Sequence, residues 1–108
     1  MPEDETIKVL DHHVTAHLAG DVDGLMEDYH DDAKLITNLG VIVSGTAEVR
    51  NLFASLPIDL AGFEVTFQHV EDAFALLVWK TAAIPFAADT FTLDNGKIRV
   101  QTAAVHTA

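Results

Sequence analysis

The chain has 108 residues, 49% of them hydrophobic, with seventeen acidic against six basic side chains and a formal net charge of −11. That length makes a single domain, residues 1–108, with a real core; the charge repels phosphate backbones and anionic membranes, so no nucleic acid and no membrane is expected as a partner, and no apolar run approaches the ~20 residues of a membrane span. With no cysteine there are no disulfides or thiolate metal sites, and the acidic start MPEDETIK is unlike a secretory signal, so a cytoplasmic location is the expectation.

From Thr6 to Ala19, the apolar residues Ile7, Leu10, Val14 and Leu18 recur every three to four positions, the period of an amphipathic helix that Gly20 would stop. On that wheel His17 falls on the apolar stripe, His13 at its edge and His12 on the wet side. Asp21 offers an N-cap to a second helix running through Tyr29, with Asp23 near its positive end. The stretch HDD, residues 30–32, lacks the glycine and ligand spacing of a calcium loop and reads as a solvated helix end.

Residues 33–45, AKLITNLGVIVSG, make a short strand, a turn at Asn38 to Gly40 and a return. Ser44 or Thr46 would cap a third helix whose apolar face is Val49, Leu52, Phe53 and Leu56, with Pro57 at its exit. Four strand-like segments follow: GFEVTFQHVE, AFALLVWKTAAI, PFAADTFTL and KIRVQTAAVH. Asn95-Gly96 marks a hairpin, since a type I′ turn needs positive φ at both central residues. Helices first and strands second predict an α+β fold with a mostly antiparallel sheet that can curl around the helices and close off an apolar pocket.

One residue breaks the apolar pattern of the last hairpin. Alternation puts Asp89 on the face of Ala87, Phe91 and Leu93, with Thr90 and Thr92 opposite. An unpaired ionised carboxylate out of water is costly by several kcal/mol, so Asp89 is protonated, hydrogen-bonded, exposed or there for chemistry. Trp79 and Lys80 point to opposite faces, and parity alone leaves open which of them meets the interior. His13 and His17 have the i, i+4 spacing that can grip a metal ion, but no third ligand follows from spacing, so no metal and no cofactor is expected. His13 is the better candidate for a donor or base facing a pocket.

The stretches AGDVDGLMEDYHDDAKLITNLG, SGTAEVRNLFASLP and DTFTLDNGKI resemble the nuclear transport factor 2-like superfamily, and within it the ketosteroid isomerase and SnoaL-like polyketide cyclase branch. The resemblance spans nearly the whole chain. It implies a cone, a strongly curved sheet wrapped around the first of about three helices, with an apolar pocket at its open end and a homodimer through the outer sheet face. Ketosteroid isomerases use an aspartate base, a tyrosine and a protonated aspartic acid. The resemblance sets His13 at the tyrosine, Asp89 at the protonated aspartic acid and Thr37 at the base. A threonine hydroxyl cannot act as that base at neutral pH.

By the same correspondence Tyr29, His17, Phe53, Leu76, Val78, Phe91, Gln101 and Val105 join Thr37 as ligand-binding positions. The function expected is the binding of a small apolar, carbonyl-bearing molecule, with proton transfer of isomerase or cyclase type by Asp89 and His13. The alternative is a non-catalytic ligand-binding or dimerisation module that kept the fold and lost the base.

Overall fold

The computed structural model describes residues 2–55 and 60–106; Leu56 and Pro57, the expected end of the third helix, lie outside them. Helix α1 spans Pro2–Ala19, starting four residues before the predicted Thr6. Proline suits a first helical position, and Glu3, Asp4 and Glu5 stand at the positive end of the dipole. Gly20 closes the helix at φ 67°, where its N–H donates to the His17 carbonyl and that of Asp21 to the Ala16 carbonyl.

The buried face of α1 keeps Leu10 of the predicted stripe, with Val14 half-buried against the core, but turns away from Ile7 and Leu18. Thr6, Leu10, His13 and Ala16 are buried, whereas Ile7 and Leu18 are 39% and 53% exposed. Two long-range contacts set this rotation. The Thr6 hydroxyl donates to the Asp72 carbonyl at the β-turn at residue 72 (2.8 Å), and the His13 ring packs edge-on against Tyr29 and Phe91.

Helix α2 (Val22–Met26) is capped by the Asp21 carboxylate, which accepts from Gly24 N–H at 2.9 Å. It stops three residues before Tyr29, because Tyr29 opens strand β1 (Tyr29–Thr37) instead. His30, Asp31 and Asp32 are therefore strand residues rather than a helix end. Strand β2 (Ile42–Ser44) returns along β1, and α3 (Thr46–Ser55) follows, with Glu48 in its first turn accepting from Ser44 N–H at 2.9 Å. Val49 of α3 is fully buried, and Leu52 and Phe53 are half-buried.

Strands β3 (Glu64–Glu71), β4 (Phe74–Lys80), β5 (Phe86–Asp94) and β6 (Lys97–His106) form an antiparallel meander. Asn95 and Gly96 turn the last hairpin with φ of 53° and 74°, as the Asn-Gly pair predicts. The six strands make one open, mixed sheet in the order β2-β1-β6-β5-β4-β3, in which β1 lies parallel to β6.

Register sorts the side chains onto two faces. Pairing of Leu77 with Asp89, Asp89 with Ala103 and Phe91 with Gln101 puts all of these on one face, together with Ala75, Trp79 and Leu35. Most of this inner face is buried, and it meets Leu10 of α1 and Val49 of α3 in a single hydrophobic cluster. The outer face carries Phe67, Phe74, Leu76, Val78, Phe86 and Ile36, of which Phe67 and Phe74 are 54% and 52% exposed.

The rotation of α1 separates two leucines that sequence alone treats alike. Leu10→Ala should lower the unfolding free energy by about 2–5 kcal/mol, as expected for a fully buried leucine, and Leu18→Ala by no more than about 0.5 kcal/mol. Urea denaturation of both variants checks this.

Candidate functional site

Asp89 occupies the middle of β5 on the inner face and is 9% exposed. Its two carboxylate oxygens have separate partners. Trp79 of β4 donates its indole N–H to Oδ1 (3.3 Å), and Gln101 of β6 donates Nε2–H to Oδ2 (3.1 Å). The other end of the Gln101 amide accepts a hydrogen bond from the Tyr29 hydroxyl of β1. Four strands thus supply a continuous chain of polar groups, Trp79–Asp89–Gln101–Tyr29, inside an otherwise apolar face.

Burial pushes the Asp89 carboxyl up from its ordinary 3.8 to about 6, with the Trp79 hydrogen bond, the nearby His13 and the Gln101 hydrogen bond holding it back. Two N–H donors aimed at both oxygens favour the charged form. Near neutral pH the group is mainly a carboxylate, and so a proton acceptor, where the family correspondence implies a protonated donor. The Tyr29 phenol is raised well above its ordinary 10.0, first by burial and then by the Asp89 and Asp28 charges, so it keeps its proton.

Helices α1 and α3 close over this chain with aromatic rings. His13 is buried rather than at the edge of its helix, and its ring centroid lies 4.6 Å from His17, 5.6 Å from Tyr29, 5.6 Å from Phe91 and 6.5 Å from Phe53. Phe53 also packs edge-on against His17 at 5.1 Å. Burial, aided by the neighbouring His13, lowers the His17 pKa to about 3, so His17 is neutral at physiological pH.

Neither ring nitrogen of His13 has a hydrogen-bond partner among the described residues. Its Nδ1 stands 3.7 Å from Asp28 Oδ2, longer than a hydrogen bond. Asp28 itself is buried and binds His12 Nδ1 at 2.8 Å, and this contact raises the pKa of His12. Asp28 was missed in the sequence because an acid beside HDD looks like part of a solvated run. Asp28 leads directly into β1 and is tied to the sheet where Ile98 N–H of β6 donates to its carbonyl at 2.7 Å.

Of the sequence-predicted positions, Asp89, His13, His17, Tyr29, Phe53, Phe91 and Gln101 come together here. Val105 shares the inner face, paired with Ala87 further along β6. Leu76 and Val78 do not line the site. They pair with Thr90 and Ala88 on the outer face, and Leu77 and Trp79 take the inner positions; one step of strand register exchanges the two faces. Trp79, not Lys80, is therefore the inward residue. Thr37 is at an inner position opposite Ala103, but its hydroxyl serves the β1–β2 turn, accepting from the N–H groups of Leu39 and Val41 at 3.2 and 3.3 Å.

A separate, half-open cleft of about 370 Å³ lies beside the start of β1 and shares only Tyr29 with the Asp89 cluster. It is lined by His30, Asp31, Asp94 and Lys97 among others. Among the described residues, no group of three or more His, Asp or Glu is gathered as a metal site, and no helix is long and apolar enough to cross a membrane.

No protein-family model matches the sequence, and no curated protein matches it. Solved structures do. A nuclear transport factor 2-like protein of unknown function from Burkholderia xenovorans LB400 superposes with a TM-score of 0.88 at 25% identity, covering 100% of this chain and 88% of that one. A candidate ketosteroid isomerase from Kribbella flavida DSM 17836 gives 0.80 at 11% identity, covering 98% and 81%. A candidate SnoaL-like polyketide cyclase from Jannaschia sp. CCS1 gives 0.77 at 13% identity, covering 95% and 86%. The chain has the nuclear transport factor 2-like fold, that of the superfamily its sequence resembles.

The raised Asp89 pKa has a stability consequence of definite sign. The folded state holds a proton that the unfolded chain releases between about 4 and 6, so the favourable contribution is complete below pH 4 and is lost as pH rises through about 6. At pH 8 the ionised group then destabilises the fold by about 3 kcal/mol, two pKa units at ~1.4 kcal/mol each. Asp89→Asn should be more stable than the parent at pH 8 and no more stable at pH 4 in urea denaturation, and Trp79→Phe should raise the Asp89 pKa in a carboxyl ¹³C titration.

Proposed function

We propose that helices α1 and α3 and the inner face of a curved sheet enclose a cone-shaped pocket for a small apolar, carbonyl-bearing molecule, and that Asp89 removes and returns a proton at the carbon next to that carbonyl. The observation that carries this reading is Asp89 itself. It is a carboxylate buried on an apolar face, held by Trp79 and Gln101 and tuned to a pKa of about 6, within the range in which a side chain both accepts and releases protons near neutral pH. His13 supplies the second group: a buried imidazole with neither nitrogen satisfied within the described fold, suited to donate to the ligand oxygen as negative charge develops there.

The likeness to a candidate ketosteroid isomerase and a candidate SnoaL-like cyclase supports this class of chemistry, although Thr37 stands where the sequence resemblance implies a base. In this reading Asp89 takes over that role, and the protein works without metal or cofactor in the cytoplasm. Thr37 favours the second reading, a pocket that binds its ligand without turning it over.

Hydrogen–deuterium exchange at carbons next to the carbonyl, followed by NMR across a set of apolar cyclic ketones and enones, separates the two. Catalysed exchange should rise through an inflection near pH 6 and fall by about 10²–10⁴-fold in Asp89→Asn. Binding without Asp89-dependent exchange would establish the second reading.

The outer face supports a further part of the proposal, a homodimer. Phe67, Phe74 and Phe86 are each more than half exposed there, with Leu76 and Val78 half-buried between them, more apolar surface than a solitary sheet face usually leaves in water. Light scattering should give twice the chain mass, and Phe74→Glu should return it to the monomer value while leaving the inner face intact.

A further inference from the structure

We propose that Gln101 is a positioning residue whose amide couples the protonation of Asp89 to the direction of the Tyr29 hydroxyl. The proposal rests on the reading of Asp89 as the proton acceptor and adds to it a second, linked event.

The argument is one of donors and acceptors. Gln101 is 3% exposed and sits between two groups, its Nε2 donating to Asp89 Oδ2 and its Oε1 accepting from the Tyr29 hydroxyl. A primary amide has one donating end and one accepting end. While Asp89 is a carboxylate it can only accept, so the amide must present its NH₂ to Asp89 and its carbonyl to Tyr29. The Tyr29 proton is then held against Gln101 and turned away from any ligand.

When Asp89 takes a proton from a bound ligand, the new O–H needs an acceptor. Trp79 cannot serve, because its indole nitrogen only donates. A half-turn of the Gln101 side-chain amide meets the need: Oε1 accepts from the protonated Asp89, and Nε2 donates to the Tyr29 oxygen. Tyr29 now receives a hydrogen bond where it formerly gave one, and its own proton is free to point into the pocket. No bond of Gln101 is made or broken. One proton passes from ligand carbon to Asp89, and the electron pair left behind moves onto the ligand oxygen. A buried donor is thus released as that oxyanion forms; returning the proton reverses the turn.

Other titrating groups face this chain. From α1, His13 and His17 pack on or beside Tyr29, and Asp28, the residue just before β1, adds its charge. His17 stays neutral above about pH 3, which leaves His13 and Asp28 as the groups a test must separate from Asp89. Tyr29 is the only tyrosine in the chain, so a ¹³Cζ-tyrosine label gives a single signal.

The experiment follows that signal from pH 5 to pH 8 in the ligand-free protein, beside the side-chain ¹⁵N signal of Gln101 and the carboxyl ¹³C signal of Asp89. Tyr29 and Gln101 should move together with Asp89, with one inflection near pH 6. In Asp89→Asn, whose amide presents a donor to Gln101 as the protonated acid does, Tyr29 should stay at its low-pH position throughout. In Gln101→Leu the Tyr29 inflection should vanish while Asp89 still titrates, at a higher pH for want of one donor. A flat Tyr29 signal in the parent overturns the proposal, as does an inflection that persists in either variant, which would assign it to His13, Asp28 or simple through-space charge. Should a variant not fold, the parent decides alone through the Gln101 ¹⁵N signal, which must share the Asp89 inflection. None of these readouts depends on turnover, so absence of catalysed exchange would sink the proposed function without touching this result.

Discussion

Strand β1 reaches across some seventy residues of sequence to lie parallel to β6, and the rest of the site depends on that pairing. The other strand contacts are hairpins and form between sequence neighbours. The β1–β6 contact is what joins the helical half of the chain to the meander. It brings Tyr29 beside Gln101, and through Ile98 it draws the Asp28 carbonyl onto the sheet. It also explains why α2 is so short: Tyr29 gains more as a buried strand residue than as a last helical turn, since packing outweighs helix propensity over a few residues.

Around that join, the protein holds one carboxylate where an apolar side chain would be more stable. The hydrogen bonds from Trp79 and Gln101 offset part of the desolvation of Asp89 but not all of it, which is why its pKa remains raised. Tension of this kind is characteristic of sites where a charge must form and disappear within a working cycle. His13 adds to it, a buried imidazole with no partner in the described fold. A buried carboxylate on the inner sheet face and an unpartnered imidazole packed over it from α1 are both costly as architecture.

The donor and acceptor rules within the polar chain are strict. Trp79 can only donate, a carboxylate can only accept, and Gln101 can do either depending on which end it presents. Placed on neighbouring strands, these three direct the Tyr29 hydroxyl onto the Gln101 carbonyl while Asp89 is a carboxylate.

Periodicity and turn chemistry make much of this legible in the sequence alone. Alternation along FAADTFTL put Asp89 on the buried face, Asn95-Gly96 marked its hairpin, and Asp21 marked the cap of α2, because each is decided by residues a few positions apart. Period alone misjudged α1, where apolar spacing favoured Ile7 and Leu18 over Thr6 and His13; the helix turned instead toward the contacts waiting for it at Asp72, Tyr29 and Phe91. The family correspondence counts Leu76 and Val78 among the ligand positions, but their pairing with Thr90 and Ala88 puts them on the outer face, because one residue of strand register exchanges the two faces. The sequence by itself determined the elements, their order and the presence of an acid on an apolar face. Only the tertiary structure decided which groups meet that acid, because Trp79, Gln101, Tyr29 and His13 come from four separate elements and a hydrogen bond depends on position in space rather than distance along the chain.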